Sequence, residues 1–244
     1  MKRILLILIL IVCTRSFSQD AAFTQSFMIP ESINPSFSGF YQTTKAGLLY
    51  KNQQWSGFNF NLNSQFIYFD DWYPDLNSGI GISLINHQET VTNYSLKQVN
   101  LSWAYDVQID YDWHFRPSIS VGFGFKDYGF DNLLFEDQIN VFQNIINSNT
   151  FDPIALNENV RYFDFGASFL FNNDYSWIGL TLRHLNRPNV SMVSKGDTPL
   201  DIFVSLHASL ELPVLNYNDD NSIFLITNFM MQGKYDRFDL GFQY

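Results

Sequence analysis

VRYFDFGASFLFNNDYSWIGLTLRHLNRPNV, the stretch from Val160 to Val190, decides the fold because it alternates between apolar and polar residues. Successive side chains of a β-strand point to opposite faces, so this period of two predicts a strand. In its first half, one face is apolar and the other is mostly small or polar. The apolar face holds Phe163, Phe165, Ala167, Phe169 and Phe171, and the opposite face holds Asp164, Gly166, Ser168 and Leu170.

A turn and a second strand complete this stretch. Asn172-Asn173-Asp174 predicts the turn, because Asn and Asp tolerate left-handed backbone and hydrogen-bond their own main chain. Ile178, Leu180 and Leu182 then alternate with Gly179, Thr181 and Arg183, and Pro188 ends the run. A hairpin with a Phe-rich face opposite Gly, Ser, Thr and Asp is typical of transmembrane barrels, in which lipid lies outside and a lumen inside.

The rest of the chain repeats this alternation and predicts about ten strands in total. The further apolar faces are expected at Ala46, Leu48 and Tyr50; at Phe58, Phe60, Leu62, Phe66 and Tyr68; at Ile80, Ile82 and Leu84; at alternate residues of 99–109, 113–125 and 202–212; in a weaker strand over 222–232; and at Phe238, Leu240, Phe242 and Tyr244. Charged residues of the clean strands fall on the opposite face, namely Asp106, Arg116, Lys126, Arg183 and Glu211. This fits a lipid-facing apolar side, where Lys or Arg near the midplane costs about 2–4 kcal/mol.

The connections also follow the rules for outer-membrane barrels. If the N-terminus is periplasmic, the odd-numbered connections between successive strands lie outside the cell. The two longest connections, Asp127–Asn159 and Arg187–Pro199, are both odd-numbered, while the tight Asp110–Asp112 and Asn172–Asp174 are even-numbered and would be periplasmic turns. Within the longest connection, the loose apolar spacing of Leu133–Ile146 predicts a short amphipathic helix.

The N-terminus predicts export. Met1-Lys2-Arg3 precedes the short apolar run Ile4–Val12, and Ser16-Phe17-Ser18 offers small residues for cleavage. A lipoprotein signal ending at Cys13 is the alternative. We expect a signal peptide at residues 1–18, an irregular N-terminal segment at 19–42, and a transmembrane barrel at 43–244. The irregular segment would lie in the lumen or along the periplasmic rim.

Composition narrows the function. The chain is 46% hydrophobic and 18% aromatic but only 16% charged, against the usual quarter or so. Its formal net charge of −10 argues against nucleic acid as a partner, because such binding needs a basic surface.

The sequence predicts no catalytic, cofactor-binding or metal-binding residues. The four histidines, His87, His114, His184 and His207, show no metal-ligand spacing, and Ser205 with His207 is too common a pair to indicate a hydrolase. Gly79-Ile80-Gly81 and Gly122-Phe123-Gly124 lie within strand periodicity and are interpreted as glycines that make room inside the lumen.

Two groups of larger side chains have expected structural roles. Trp103, Trp113 and Trp177 lie near strand ends and are expected in the aromatic girdle at the membrane interface. Arg116, Arg183 and Lys126 face inward, where luminal ion pairs are favoured over a path for substrates.

The ordered motifs resemble the PorP/SprF family of type IX secretion system membrane proteins. The similar stretches are Gln19-Asp20 with Gln25, Asn34-Pro35 and Gly39; LLYKNQQW at Leu48–Trp55; FDFGASFLF and WIGLTLRHLNRP within Phe163–Pro188; and Leu206-His207-Ala208. Family members usually continue for about four more strands, to about 14 in all, so this chain is expected either to be truncated or to close as a smaller barrel. Residues 232–244 resemble the interior of the family pattern.

The resemblance implies an all-β, antiparallel outer-membrane barrel without enzymatic activity or cofactor. It implies a role in secretion and surface attachment of adhesins and in gliding motility. The implied partners are the secreted adhesin cargo, a periplasmic ring and a peptidoglycan-linked protein, together with outer-membrane lipid. Two alternatives remain open: a porin or small-solute transporter, which predicts an open lumen, and a barrel enzyme, which predicts a luminal catalytic cluster.

Overall fold

The structure is a computed structural model that describes residues 23, 28–55, 60–129, 134–140, 145–152, 159–193, 196–213 and 222–243. The expected signal peptide at 1–18 lies outside these residues. Among the described residues, no helix has the length and hydropathy needed to cross a bilayer.

Antiparallel strands build the described fold. They are β1 (Lys45–Trp55), β2 (Phe60–Tyr73), β3 (Ser78–Glu89), β4 (Ser95–Tyr105), β5 (Val107–Gln108), β6 (His114–Asp127), β7 (Ile139–Asn140), β8 (Ile145–Ile146), β9 (Asn159–Asn172), β10 (Ser176–Arg183), β11 (Phe203–Pro213), β12 (Ser222–Gln232) and β13 (Tyr235–Gln243). Ten of them pair in the order β1-β2-β3-β4-β6-β9-β10-β11-β12-β13, β5 extends the sheet beside β6, and β7 pairs with β8 alone. The predicted all-β antiparallel fold is confirmed. Within the described residues the sheet is not closed, and β1 and β13 form its two ends.

The hairpin of β9 and β10 has the predicted register. Phe163 and Ile178 are exposed on the outer face, while Asp164 and Ser168 are buried on the inner face. The turn between the strands is closed by Asn173, whose Oδ1 accepts hydrogen bonds from the backbone amides of Tyr175 and Ser176. The outer faces of β1, β3 and β4 likewise expose the predicted side chains.

The apolar outer band crosses the sheet diagonally. On β1 the band is centred on Leu48, and the residues paired with it from strand to strand lead to Phe123 on β6. On β13 the band is centred on Leu240, and the residues paired with it from strand to strand lead to Phe115 on β6. The two rows thus cross β6 eight residues apart, or about 27 Å, while the ten strands span about 43 Å at about 4.8 Å per step. The corresponding tilt of about 30° is near that of transmembrane barrel strands.

The predicted register of β2 is wrong. Phe66 and Tyr68 are buried on the inner face, and the neighbouring Ile67 and Phe69 are exposed on the outer face. Pairing decides this, because Ile67 lies between the outward-facing Leu48 of β1 and a matching leucine of β3. The run Phe-Ile-Tyr-Phe is apolar on both faces, so its alternation alone is ambiguous.

The predicted helix at Leu133–Ile146 is also wrong for the part that the structure describes. Glu136–Gln138 forms a single 3-10 turn, and Ile139–Asn140 then pairs with Ile145–Ile146 as a small hairpin. Residues 133 and 141–144 lie outside the described residues. This connection joins β6 to β9 at the same end of the sheet as the connections after β3 and β10.

Candidate functional site

Residues 28–39, here called the lumenal segment, lie against the inner face of the sheet. Asn34, Ser36 and Phe37 are almost completely buried there. Pro30 and Pro35 each begin a 3-10 turn, where a fixed φ and a missing amide donor are tolerated. The inner-face position of residues 28–39 agrees with the lumen, one of the two places that the sequence left open for the N-terminal segment.

Arg116 of β6 holds the centre of the lumenal segment. Its Nε donates to the carbonyl of Ser36 at 3.1 Å, and its Nη2 donates to the carbonyl of Ser38 at 2.8 Å. Its Nη1 forms a 2.8 Å ion pair with Asp106, which also contacts His114. The guanidinium is buried, and each of its three nitrogens donates a hydrogen bond to a protein group. The predicted luminal ion pair is confirmed at this arginine.

Arg183 of β10 binds the other end of the lumenal segment. Its Nη2 donates to the carbonyls of Ser32 at 2.7 Å and Ile33 at 3.1 Å. Two cationic side chains on different strands thus donate hydrogen bonds to backbone carbonyls that folding has removed from water. The third inward cation, Lys126, lies about 6 Å from the ring centroids of Tyr94 and Tyr128.

Small side chains let the lumenal segment approach the wall closely. Ser36 Oγ lies 3.0 Å from Ser118 Oγ and 3.1 Å from Ser168 Oγ, forming a buried hydroxyl cluster. A Cβ at Gly79 would lie only 1.9 Å from the carbonyl oxygen of Ser38, and one at Gly81 would lie 2.6 Å from its hydroxyl. The prediction that these glycines make room in the lumen is confirmed.

A chain of hydrogen bonds joins the lumenal segment to β11 and β12. Asn34 Nδ2 lies 3.0 Å from His207 Nε2, His207 Nδ1 lies 3.1 Å from Ser205 Oγ, and Ser205 donates to Asn228 Oδ1 at 2.8 Å. The amide nitrogen of Asn34 only donates, so Nε2 of His207 accepts and Nδ1 carries the proton. This neutral imidazole therefore accepts from the lumenal segment through Nε2 and bonds to Ser205 of its own strand through Nδ1.

The candidate serine and histidine thus meet without the geometry of a hydrolase. Ser205 gives its proton to Asn228, and the His207 nitrogen nearest to it is itself the donor. His184 pairs with Asp164 at 2.9 Å, His114 pairs with Asp106, and His87 is buried. Across the described residues, no three His, Cys, Asp or Glu side chains are placed to hold a metal ion.

A cavity of about 60 Å³, room for a few water molecules, lies between the lumenal segment and the wall. Glu31 and Asp70 line it, and neither oxygen of the buried Glu31 carboxyl has a hydrogen-bond partner on another residue. Burial raises the pKa of Glu31 to about 7; the Asp70 carboxylate adds to the rise and the Lys45 ammonium opposes it. The lumenal segment therefore contains an acid whose protonation changes near neutral pH.

One expected girdle residue is instead part of this site. Trp177 faces inward, and its ring packs edge-on against Phe37 of the lumenal segment at 5.2 Å and lies 5.7 Å from His207. Its interfacial assignment is wrong, because the strand register places it opposite the inward-facing Ser209. Trp103 and Trp113 are exposed, consistent with the girdle.

A comparison with protein families identifies the chain. The model of the family described as "Type IX secretion system membrane protein PorP/SprF" matches residues 15–244. The chain belongs to the PorP/SprF family. This PorP/SprF chain is accordingly a membrane component of the type IX secretion system, of a family of outer-membrane β-barrels. A search of curated proteins finds no match to it.

Proposed function

We propose that this PorP/SprF chain is a non-enzymatic accessory barrel that supports the secretion of adhesins, retains them at the cell surface and thereby supports gliding motility. In this proposal the chain is exported by a signal peptide at residues 1–18 and inserted into the outer membrane through its strands over 43–244. Its partners are the secreted adhesin cargo, the periplasmic ring and a peptidoglycan-linked protein of the secretion system.

One observation carries the proposal: the lumenal segment packs on the inner face of the sheet, where a solute would pass through a porin. It is bound to β6 by Arg116, to β10 by Arg183 and to β11 through His207. A diffusion porin needs an open water-filled lumen. A barrel whose lumen is occupied by its own chain is better suited to binding a partner on its rims than to conducting solutes.

The inner face also argues against a catalytic role. Ser205 and His207 are buried, and they form hydrogen bonds with Asn228 and Asn34 respectively. A catalytic serine needs its hydroxyl proton accepted by the base and needs access to substrate. Neither condition fits this arrangement, so we propose no reaction for the chain.

The test is deletion of the gene, followed by quantification of each type IX cargo protein on intact cells and in the medium. We expect a surface adhesin to move into the medium, or not to be exported, while other cargo is still secreted; gliding should be lost with it. Complementation with the wild-type gene is the control. Normal adhesin display, together with impaired uptake of small solutes, would instead support the porin.

A further inference from the structure

The connection between β6 and β9 presents apolar side chains to solvent. Phe151 is 86% exposed, and the exposed Ile139 and Ile146 lie opposite each other in the small hairpin of β7 and β8. Leu134 and Ile145 are also exposed. We call the described residues 134–140 and 145–152 the loop surface. Exposed apolar groups clustered on one connection indicate a binding surface, unlike apolar residues scattered singly.

Hydrogen bonds within the connection hold these apolar groups in place. The Asp137 carboxylate accepts from the backbone amide of Phe151 at 2.6 Å and from the Thr150 hydroxyl at 2.8 Å. These bonds also lower the pKa of Asp137, so it stays ionised as their acceptor. The Gln138 side chain accepts from the amide of Phe135 and donates to the carbonyl of Asn147. A phenylalanine whose backbone is fixed before binding loses less conformational entropy on docking than one on an unrestrained chain.

Charge indicates the kind of partner. Residues 130–159 contain no Lys, Arg or His. Their acidic residues are Asp131, Glu136, Asp137, Asp152 and Glu158. An anionic membrane surface would repel this connection, whereas a protein surface rich in Lys and Arg would attract it. A protein interface commonly combines apolar anchors with charged groups, and this connection carries both kinds of residue in its sequence.

We propose that the loop surface is the docking site for the secreted protein that this barrel retains, and that the partner binds it with an apolar pocket rimmed by Lys and Arg. This inference rests on the proposed function, and it specifies where and by what chemistry the cargo is held. Phe151 and Ile146 are the anchors, and Asp137 is a positioning residue that fixes the Phe151 backbone.

The first test complements the deletion strain with Phe151→Ala or Ile146→Ser and measures cargo on cells and in the medium. We expect both variants to release cargo that the wild-type chain retains. Tyr111→Ala is the matched control, because Tyr111 is 89% exposed but lies in the turn at the opposite end of the sheet. Asp137→Ala should release cargo as well, and Asp137→Asn, which keeps an acceptor oxygen, should release less.

A binding measurement completes the test. The cargo that the deletion strain releases into the medium is purified and titrated onto the wild-type barrel in detergent. We expect Phe151→Ala to raise Kd at least about tenfold, since buried aromatic anchors dominate interface energies, and added salt to weaken wild-type binding. If both anchor variants bind and retain cargo like the wild type while deletion still releases it, the loop surface is refuted and the proposed function stands. If deletion neither releases cargo into the medium nor blocks its export, the proposed function itself fails.

The same variants distinguish a protein partner from lipid. In cargo-free vesicles of outer-membrane lipid, the fluorescence that Phe151→Trp adds to that of the five native tryptophans, measured as the difference from the wild type, should resemble that of an indole in water. Quenching of that fluorescence by brominated lipid would show that the connection enters the membrane, and would overturn the assignment of a protein partner.

Discussion

Replacing Arg116 with methionine should loosen the lumenal segment while leaving the barrel folded. The substitution keeps most of the side-chain volume but removes the bonds to the carbonyls of Ser36 and Ser38. Hydrogen bonds to a charged group contribute about 1.5–3 kcal/mol each, so the segment should lose about 3–6 kcal/mol of binding free energy. The ion pair with Asp106 is lost too, but that carboxylate keeps its contact with His114.

A buried thiol in the lumenal segment would report this change. Cys13 is the chain's one cysteine, so Ser36→Cys in a Cys13→Ser background gives a single reactive site that is fully buried when the segment is bound. Labelling by a maleimide then measures the population in which the segment has left the wall. A loss of at least about 3 kcal/mol predicts labelling about 100-fold faster in Arg116→Met, since each 1.4 kcal/mol is a factor of ten.

The control and the refuting result use the same background. Arg187→Met removes an exposed arginine whose 3.4 Å contact with Asp201 lies outside the lumenal site, and it should leave the labelling rate unchanged. Heat-modifiable gel migration verifies that each barrel is folded. Equal labelling of folded Arg116→Met and wild type would refute the view that this arginine holds the segment.

Three further predictions follow from the same geometry. Gly79→Val should also speed labelling of the buried thiol, because its Cβ would overlap a carbonyl of the lumenal segment, whereas Gly241→Val, with no atom within 4 Å, should not; equal rates would refute the close approach. Val121→Arg on the outer face should lower the free energy of unfolding by about 2–4 kcal/mol, measured by urea unfolding from vesicles. Gln88→Arg, near a strand end on the same face, should lower it by less than about 1 kcal/mol, and equal losses would contradict the lipid-facing assignment. Glu31 has a pKa of about 7 when the segment is bound, against a usual 4.5, so binding of the segment is strongest below pH 4.5 and weakens by about 3 kcal/mol as pH rises to 7. The ratio of the labelling rate of the wild type to that of Glu31→Gln should therefore rise from pH 4.5 to pH 7. A ratio that stays constant would contradict this prediction.

The strands could be predicted because their signal is local. In β9, each polar residue from Asp164 to Ser168 has apolar neighbours on both sides, so one register satisfies the pattern. In β2, Phe66 to Phe69 are all apolar, and only pairing with β1 and β3 decides which residues face outward. Trp177 is a different case, because the alternation of β10 already placed it on the inner face with Gly179 and Thr181, and its assignment to the girdle rested only on its position near a strand end.

The lumenal site could not be predicted because its contacts join distant parts of the chain. Ser36 and Arg116 are 80 residues apart, and Asn34 and His207 are 173 residues apart. Two prolines and the absence of any period indicated an irregular segment, but nothing in the sequence specified the wall that binds it. The inward glycines Gly79 and Gly81 were the available signal that something approaches closely.

The connection before β9 shows the limit of loose apolar spacing. Ile139 and Ile146 are seven residues apart, which fits one face of a helix, yet they pair across a hairpin. The side chains of Asp137 and Gln138 accept hydrogen bonds from backbone amides of the same connection, and such local hydrogen bonds compete with helix formation.

Single-channel recording in planar bilayers tests most directly the claim that the lumen is filled and that the barrel binds rather than conducts. The account predicts that the purified wild-type protein inserts but stays closed, and that Arg116→Met gains frequent open events as the lumenal segment leaves. Steady conductance of the wild type, unchanged by Arg116→Met, would contradict the account and indicate a porin.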